Sequence, residues 1–168
     1  MNLLLIGMPG CGKSTLGVLL AKTMGLQFID TDLLIQKQEG RLLQQVIDED
    51  GLAAFLKAEE RALLSIDTDR TLIATGGSAV YSDVGMRHLK QNAYTVFLHV
   101  EKDVLFSRLQ DSAQRGIAIP DGMTLDDLYT ERAPLYRSYA DHVFCGSGGD
   151  IVSSMQSLRK FLLAQNLF

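Results

Sequence analysis

Residues 7–14 match the pattern G-x-x-x-x-G-K-[ST] at every position. An apolar run, residues 3–6, precedes the motif, and apolar residues at helical spacing follow it over residues 13–24. A continuous apolar run is typical of a strand buried on both faces. In a strand–loop–helix unit of this kind, backbone N–H groups and the positive end of the helix converge on phosphate oxygens. The motif therefore predicts a nucleotide phosphate site, and a glycine-rich turn that binds nothing is the alternative.

Two side chains of this loop are expected to carry its chemistry. Lys13 would reach the β and γ phosphates, and the Ser14 hydroxyl would be a magnesium ligand. Cys11 is expected to contribute its backbone N–H and not a reactive thiol.

Apolar runs and helical patterns alternate along the rest of the chain. Further strands are predicted over residues 27–30, 71–74, 93–100 and 142–145. Helices are predicted over residues 42–49, 51–67, 83–91, 101–112, 125–139 and 151–163, and Pro134 predicts a kink or break in one of them. Residues 114–123 and 146–149 are expected to be loops. The alternation predicts an α/β fold in which a parallel sheet has helices on both faces.

Composition narrows the class of protein. The 168 residues suit one domain, at about 150 residues per domain. The net charge of −4, without a cluster of Lys and Arg, argues against a nucleic-acid or anionic-membrane partner. No apolar run approaches the roughly 20 residues of a membrane helix, and two cysteines fit a reducing compartment. We expect a soluble, cytoplasmic monomer.

A pair of aspartates follows the second predicted strand. Asp30 and Asp32 are two positions apart, so on an extended chain they face the same side. In a parallel sheet, ligands bind beyond the carboxyl ends of the strands, where the phosphate loop also lies. One carboxylate could hold a magnesium-bound water while the other accepts a proton from an attacking hydroxyl. The alternative is structural, with Asp32 as the N-cap of a following helix.

Three further segments complete a family pattern: Phe55 with Glu59, residues 75–77 (Thr-Gly-Gly) and residues 131–136 (Glu-Arg-Ala-Pro-Leu-Tyr). With the phosphate loop and the aspartate pair, they resemble the shikimate kinase family over nearly the whole chain. The resemblance implies a three-layer α/β/α fold with a five-stranded parallel sheet and a lid at about residues 112–124. It also implies transfer of the γ-phosphate of ATP, with Mg²⁺, to a ring hydroxyl.

The resemblance implies roles for individual residues. Asp32 would orient the hydroxyl as the base, and Arg115 would be the lid arginine that stabilises the transferring charge, with Lys13 as the third catalytic group. Asp30 would join Ser14 at the magnesium site. The acceptor would be bound by Asp32, Gly76, Gly77 and Arg132. ATP would be bound by Gly10, Cys11, Gly12, Lys13, Ser14, Thr15 and Arg108.

Several of these residues have plainer interpretations. Arg132 could pair with Glu131 or Asp127 on its own helix. Arg115 could be a solvated loop charge. The histidines, at positions 88, 99 and 142, show no metal-ligand spacing, so structural roles are favoured.

The chain departs from the family pattern in its acceptor region. Leu56 stands where the family has an arginine that binds the acceptor carboxylate, and Ser78 stands at the third glycine. The lid lacks the proline after Arg115. We therefore expect shikimate to be a poor substrate and a less acidic alcohol to be a better one.

Two other functions remain open at this point. One is a gluconate-type sugar-acid kinase, which shares the phosphate loop and an early aspartate. The other is a nucleotide-binding regulatory module without phosphotransfer, which the retention of Lys13, Ser14, Asp30 and Asp32 argues against.

Overall fold

The structure is a computed structural model that describes residues 1–110, 118–120, 122–146 and 150–168. Within these ranges the strands are β1 (Asn2–Ile6), β2 (Gln27–Asp30), β3 (Thr71–Ala74), β4 (Ala93–His99) and β5 (His142–Cys145). The helices are α1 (Lys13–Met24), α2 (Thr31–Glu39), α3 (Leu43–Asp50), α4 (Leu52–Leu64), α5 (Asp83–Lys90), α6 (Lys102–Gln110), α7 (Leu125–Tyr139) and α8 (Ile151–Ala164). A short 3-10 helix covers Ala79–Tyr81.

The strands form one parallel sheet in the order β2-β3-β1-β4-β5. Every residue of β1 is buried, because this central strand pairs on both edges and is covered on both faces. The predicted five-stranded parallel sheet is therefore confirmed. Because the strands run in one direction, the segments that follow β1, β2 and β3 meet at one edge of the sheet.

Helix α1 lies directly on the sheet, against β2 and β3, and packs beside α8. Gly17 permits this close approach, since a Cβ there would lie 2.9 Å from the ring of Phe28 and 3.0 Å from Leu72. Helices α5 and α7 contact β4. Helices α2, α3 and α4 pack together around a smaller apolar cluster of Ile35, Leu43, Val46, Phe55, Ala58, Ala62 and Ala118. This small cluster borders the site edge of the sheet.

Most predicted elements are found within three residues of their expected bounds. Helix α2 was expected only in the alternative that made Asp32 its N-cap. It begins earlier, directly after β2, because Asp30 accepts the backbone N–H of Asp32 at 2.9 Å and so caps it. A kink or break was predicted at Pro134, and the break does not occur, since α7 is continuous from Leu125 to Tyr139. Buried residues on both sides of the proline, Arg132 and Tyr136, anchor the helix to the core.

The region expected to form the lid lies largely outside the described residues, as does Arg115. In the described part of the chain, no helix has the length and apolar character needed to cross a membrane.

Candidate functional site

A cavity of about 340 Å³ lies at the carboxyl ends of the central strands. Its walls come from the phosphate loop, the start of α2, the segment after β3 and the helices α4 and α7. The lining residues are Pro9, Gly10, Gly12, Lys13, Ser14, Thr15, Asp32, Phe55, Thr75, Gly76, Gly77, Ser78, Arg108, Ala118 and Arg132. The structure thus brings most of the predicted nucleotide and acceptor residues into one space.

The phosphate loop is built around glycines with left-handed backbone angles. Gly12, at φ 99°, is the N-cap of α1, so Lys13 is the first residue of that helix. The Lys13 ammonium is buried and donates to the carbonyls of Gly7 at 2.7 Å and Met8 at 2.9 Å. The Cys11 N–H donates to the carbonyl of Met8 at 3.2 Å, within the loop.

Ser14 and Thr15 occupy the exposed first turn of α1 and line the cavity. A hydroxyl at this place, with the Asp32 carboxylate in the same cavity, offers the hard oxygen ligands that Mg²⁺ prefers. The donor set therefore fits a nucleotide-bound magnesium ion.

Asp30 and Asp32 have different structural roles. Because α2 starts at Thr31, Asp30 turns back to cap the helix, and among the two only Asp32 lines the cavity. The alternative in which Asp32 is the N-cap is therefore wrong, and so is the extended geometry that placed both on one side. Burial, then the nearby charge of Asp30, raises the pKa of Asp32 to about 6, while Lys13 opposes this rise.

Glu59 lies behind the wall of the site, next to Gly76, and the sequence interpretation assigned it no role. It is 1% exposed, and a Cβ on Gly76 would lie 2.5 Å from Glu59 Oε1 and 2.7 Å from Asp32 Oδ1. The two carboxyl groups thus flank Gly76. Burial raises the pKa of Glu59 to about 7; a Ser78 hydrogen bond lowers it and the Asp32 charge raises it. The available signal was an acidic residue on the apolar stripe of α4, between Phe55 and Ala62.

The backbone groups of Gly76 and Gly77 form hydrogen bonds with side chains of other elements. The N–H of Gly76 donates to the Thr31 hydroxyl at 2.9 Å, so this N–H is engaged within the protein. Gly77 accepts a hydrogen bond at its carbonyl from the Tyr136 hydroxyl at 2.6 Å. Tyr136 is fully buried and stacks on Phe97, so a core residue supports this wall from behind.

Arg132 is also buried, at 1% exposed. It donates from Nε to the Tyr81 hydroxyl at 3.0 Å and from Nη2 to the Ala118 carbonyl at 2.6 Å, and its guanidinium lies over the Tyr81 ring. The predicted alternative, a pair with Glu131 or Asp127, is wrong, because α7 turns Arg132 toward the core. Its Nη1 has no hydrogen-bond partner among the described residues.

Two of the departures from the family pattern, Leu56 and Ser78, line the same small cavity. Leu56 is partly buried at the edge of the small apolar cluster. With Ser78 and Glu59, it lines a separate cavity of about 140 Å³. Sequence spacing could not show that positions 56 and 78 share this space.

A further cavity of about 300 Å³ adjoins the phosphate loop on the side of α6 and α8. Arg108, Gly12 and Thr15 line both this cavity and the main one. His99 lies in its wall and shares a hydrogen bond of 3.0 Å with the Tyr129 hydroxyl. The other two histidines make structural contacts: His88 bonds to the Ile66 carbonyl, and His142 stacks on Phe161.

Comparisons with known proteins agree with this geometry. The family model for shikimate kinase matches residues 9–163. "Shikimate kinase 2" of Pectobacterium atrosepticum is 30% identical over 163 residues, which cover 92% of this chain and 94% of that protein. The solved structure of the shikimate kinase from Acinetobacter baumannii in complex with shikimate superposes with a TM-score of 0.85 at 26% identity, covering 99% of this chain and 95% of that chain.

The comparisons favour neither the expected kinase for a less acidic alcohol nor the gluconate-type alternative. A gluconokinase from Sinorhizobium meliloti has a TM-score of 0.50 at 21% identity over 98% of this chain and 96% of its own, and this likeness shows a shared fold alone. The regulatory alternative is not favoured either, since the matched proteins are named as kinases. The chain belongs to the shikimate kinase family and is an ATP-dependent phosphotransferase that acts on a hydroxyl group.

Proposed function

We propose that this protein transfers the γ-phosphate of ATP to a hydroxyl group of shikimate. The observation that carries the proposal is that the main cavity joins a phosphate loop to a carboxylate, Asp32, and a buried guanidinium, Arg132. An acceptor with both a hydroxyl and a carboxylate complements this pair. The names of the relatives support the same acceptor.

The nucleotide would occupy the loop side. The N–H groups of Gly10 and of residues 12–15, at the N-terminus of α1, would hold the β and γ phosphates. Lys13 would move from the loop carbonyls to the phosphate oxygens. Arg108 would contact the base, because it lines the adjoining cavity. Mg²⁺ would be held by Ser14, in the cavity that Asp32 also lines, and would neutralise phosphate charge when bound. Asp30 is not assigned to the ion, because it caps α2 and does not line the cavity.

The acceptor would occupy the opposite wall. Nη1 of Arg132, which has no hydrogen-bond partner within the described ranges, would bind the carboxylate. Asp32 would accept a hydrogen bond from the reacting hydroxyl. With a pKa of about 6, Asp32 is ionised at neutral pH and close to the ideal range for a general base. Gly76 and Gly77 would keep the backbone close to the acceptor, since any side chain at Gly76 would meet two carboxyl groups.

Phosphoryl transfer here depends on position and charge. The acceptor oxygen forms a bond to the γ-phosphorus as the bond from that phosphorus to the β-phosphate oxygen breaks, and the hydroxyl proton passes to Asp32. The products are the phosphorylated acceptor and ADP. Arg115, outside the described residues, would be the lid cation that stabilises the transferring charge.

Leu56 affects acceptor affinity. Without an arginine there, Arg132 is the cation that we assign to the carboxylate, so the shikimate KM should be high. Removing one partner of a buried charge pair costs about 2–5 kcal/mol, or about 30- to 5,000-fold in affinity. Leu56→Arg is therefore expected to lower the shikimate KM about thirtyfold or more.

The proposal is tested by measuring ADP release with shikimate, quinate, gluconate and a neutral polyol as acceptors. We expect turnover with shikimate and its loss in Asp32→Asn, with the ATP affinity retained. The matched control is Asp30→Asn, which keeps the N-cap and is expected to retain more turnover than Asp32→Asn. Turnover of another alcohol without turnover of shikimate would contradict the acceptor, and an active Asp32→Asn variant would contradict the base.

We also propose that the chain works as a cytoplasmic monomer without a nucleic-acid partner, as its charge and cysteine content suggest. Light scattering of the purified protein at assay concentration checks the monomer, and a dimer would contradict it.

A further inference from the structure

Two neutral hydrogen-bond acceptors hold the guanidinium of Arg132. Its Nε donates to the Tyr81 hydroxyl at 3.0 Å, and its Nη2 donates to the Ala118 carbonyl at 2.6 Å. A guanidinium is a rigid planar fork, so fixing two of its nitrogens also fixes the direction of the third. That third nitrogen, Nη1, is buried and has no hydrogen-bond partner in the described part of the chain, and Arg132 lines the main cavity. The protein contacts therefore orient the guanidinium and leave Nη1 for a ligand.

Tyr81 contacts the guanidinium in two ways. It is the last residue of the 3-10 helix, which packs against α7. The guanidinium carbon of Arg132 lies over the Tyr81 ring, 4.8 Å from its centroid, while the hydroxyl of the same ring accepts the Nε–H. The ring supplies a favourable surface for the cation, and the hydroxyl adds a directional bond. The orientation of Nη1 thus depends on the hydroxyl of Tyr81.

Glu131 determines how the Tyr81 hydroxyl is used. The hydroxyl donates its own proton to Glu131 Oε1 at 2.5 Å, so its lone pairs are free to accept from Arg132, which can only donate. The phenol therefore lies between the carboxylate and the guanidinium. Within the described ranges, the hydrogen-bond partners of Arg132 include no carboxylate. Arg132 is held in place without a direct ion pair that would compete with a carboxylate ligand.

We propose that Tyr81 is a positioning residue of the acceptor site, whose hydroxyl orients the Arg132 guanidinium so that Nη1 is presented to the acceptor carboxylate. The inference rests on the proposed function, because it requires an acceptor whose carboxylate binds Arg132. Tyr81 does not line the main cavity and acts through Arg132. Leu56 lines the small cavity together with Tyr81 and has no charge that could compensate for a misplaced guanidinium.

The test uses Tyr81→Phe in the full-length protein, since this change keeps the ring and removes only the hydroxyl. A hydrogen bond to a charged group is worth about tenfold or more in an equilibrium constant. We expect the shikimate kcat/KM to fall about tenfold, mainly through a higher KM, while the ATP KM stays within twofold of the wild type. Glu131→Ala should raise the shikimate KM by a smaller factor, because the phenol remains to accept the Nε–H.

Tyr139→Phe is the matched control. Tyr139 lies on α7, as Arg132 does, and its hydroxyl also donates to a carboxylate, Asp83 Oδ1, at 2.9 Å. That carboxylate belongs to α5, so the bond joins α7 to α5 and not to the 3-10 helix. Its removal should leave the shikimate KM within twofold of the wild type.

A double-mutant cycle tests whether Tyr81 acts through Arg132. Arg132→Lys keeps a positive charge but has neither Nε nor the planar fork. Calorimetry gives the shikimate dissociation constant of each variant without depending on turnover. Tyr81→Phe should weaken binding about tenfold when Arg132 is present and less than threefold in the Arg132→Lys background.

Three outcomes would overturn the inference. The first is a Tyr81→Phe variant whose shikimate kcat/KM stays within twofold of the wild type. The second is an equal rise in the shikimate and ATP KM values, which would indicate a general structural defect. The third is an equal effect of Tyr81→Phe in both backgrounds of the cycle. A wild type that does not turn over shikimate would instead refute the proposed function, and this inference with it.

Discussion

Replacing Glu59 with glutamine is expected to flatten the pH dependence of folding stability. Burial raises the pKa of Glu59 from 4.5 to about 7. Below pH 4.5 the group is protonated in both the folded and the unfolded chain. Between these two values the unfolded chain releases the proton and the folded chain keeps it, so stability falls as the pH rises. Above pH 7 both forms are ionised and the full loss is present.

The size of this loss follows from the two pKa values. Each tenfold difference in proton affinity is worth about 1.4 kcal/mol, so Glu59 contributes a loss of about 3 kcal/mol between pH 4.5 and pH 7.5. For a domain of this size, that corresponds to a fall of about 6–12 °C in melting temperature. Glutamine keeps the shape of the side chain and cannot ionise, so the variant should lack this part of the fall.

The measurement is the melting temperature of both proteins from pH 4.5 to pH 8. The difference between them isolates Glu59 from the other titrating groups, and pH 4.5 is the internal reference, since there the glutamate is largely protonated in the folded chain. Parallel curves over the whole range would refute the reasoning, because they would mean that the folded protein does not hold the proton on Glu59.

Three other substitutions have expected outcomes. Gly76→Ala places a Cβ 2.5 Å from Glu59 Oε1 and 2.7 Å from Asp32 Oδ1. The acceptor kcat/KM should therefore fall more than tenfold in steady-state kinetics, while the ATP KM changes little. Near-normal acceptor kinetics would contradict this expectation. Lys13→Met removes the phosphate-binding cation, and kcat should fall about a hundredfold or more in the ADP-release assay; a kcat within tenfold of the wild type would contradict the assignment. Asp150→Ala removes the N-cap of α8, whose side chain accepts two backbone N–H groups. Thermal denaturation should show a free energy of unfolding lower by about 1 kcal/mol, with kcat unchanged. An unchanged melting temperature would count against this expectation.

Local sequence patterns were sufficient for most of the fold. The strand at residues 71–74 and the helix at residues 125–139 have the predicted bounds, because apolar runs and capping residues act over a few neighbouring positions. Helix α2 was missed since it follows β2 without a loop, and the capping side chain belongs to the last residue of the strand. The break expected at Pro134 was wrong because tertiary packing on both sides of the proline holds the helix.

Only part of the site could be predicted from the sequence. The phosphate loop is contiguous in sequence, so its residues were found together. Asp32 lines the cavity beside this loop, as predicted, whereas Asp30 does not. The division of the two aspartates into cap and cavity residue depends on where α2 begins. The role of Glu59 depends on contacts with segments 17 to 27 positions away in the chain, and no spacing rule reports such contacts.

The chain itself was enough to determine a phosphate-binding strand–loop–helix unit, the alternation of strands and helices, and membership of a kinase family, because these depend on neighbours in sequence. Tertiary structure decided which carboxylate faces the cavity and that Leu56, Ser78 and Glu59 share one small space. It also decided that Arg132 is buried, with one nitrogen that has no hydrogen-bond partner in the described part of the chain. These features arise where separate elements pack, and the burial that shifts the pKa values of Asp32 and Glu59 exists only in the folded chain.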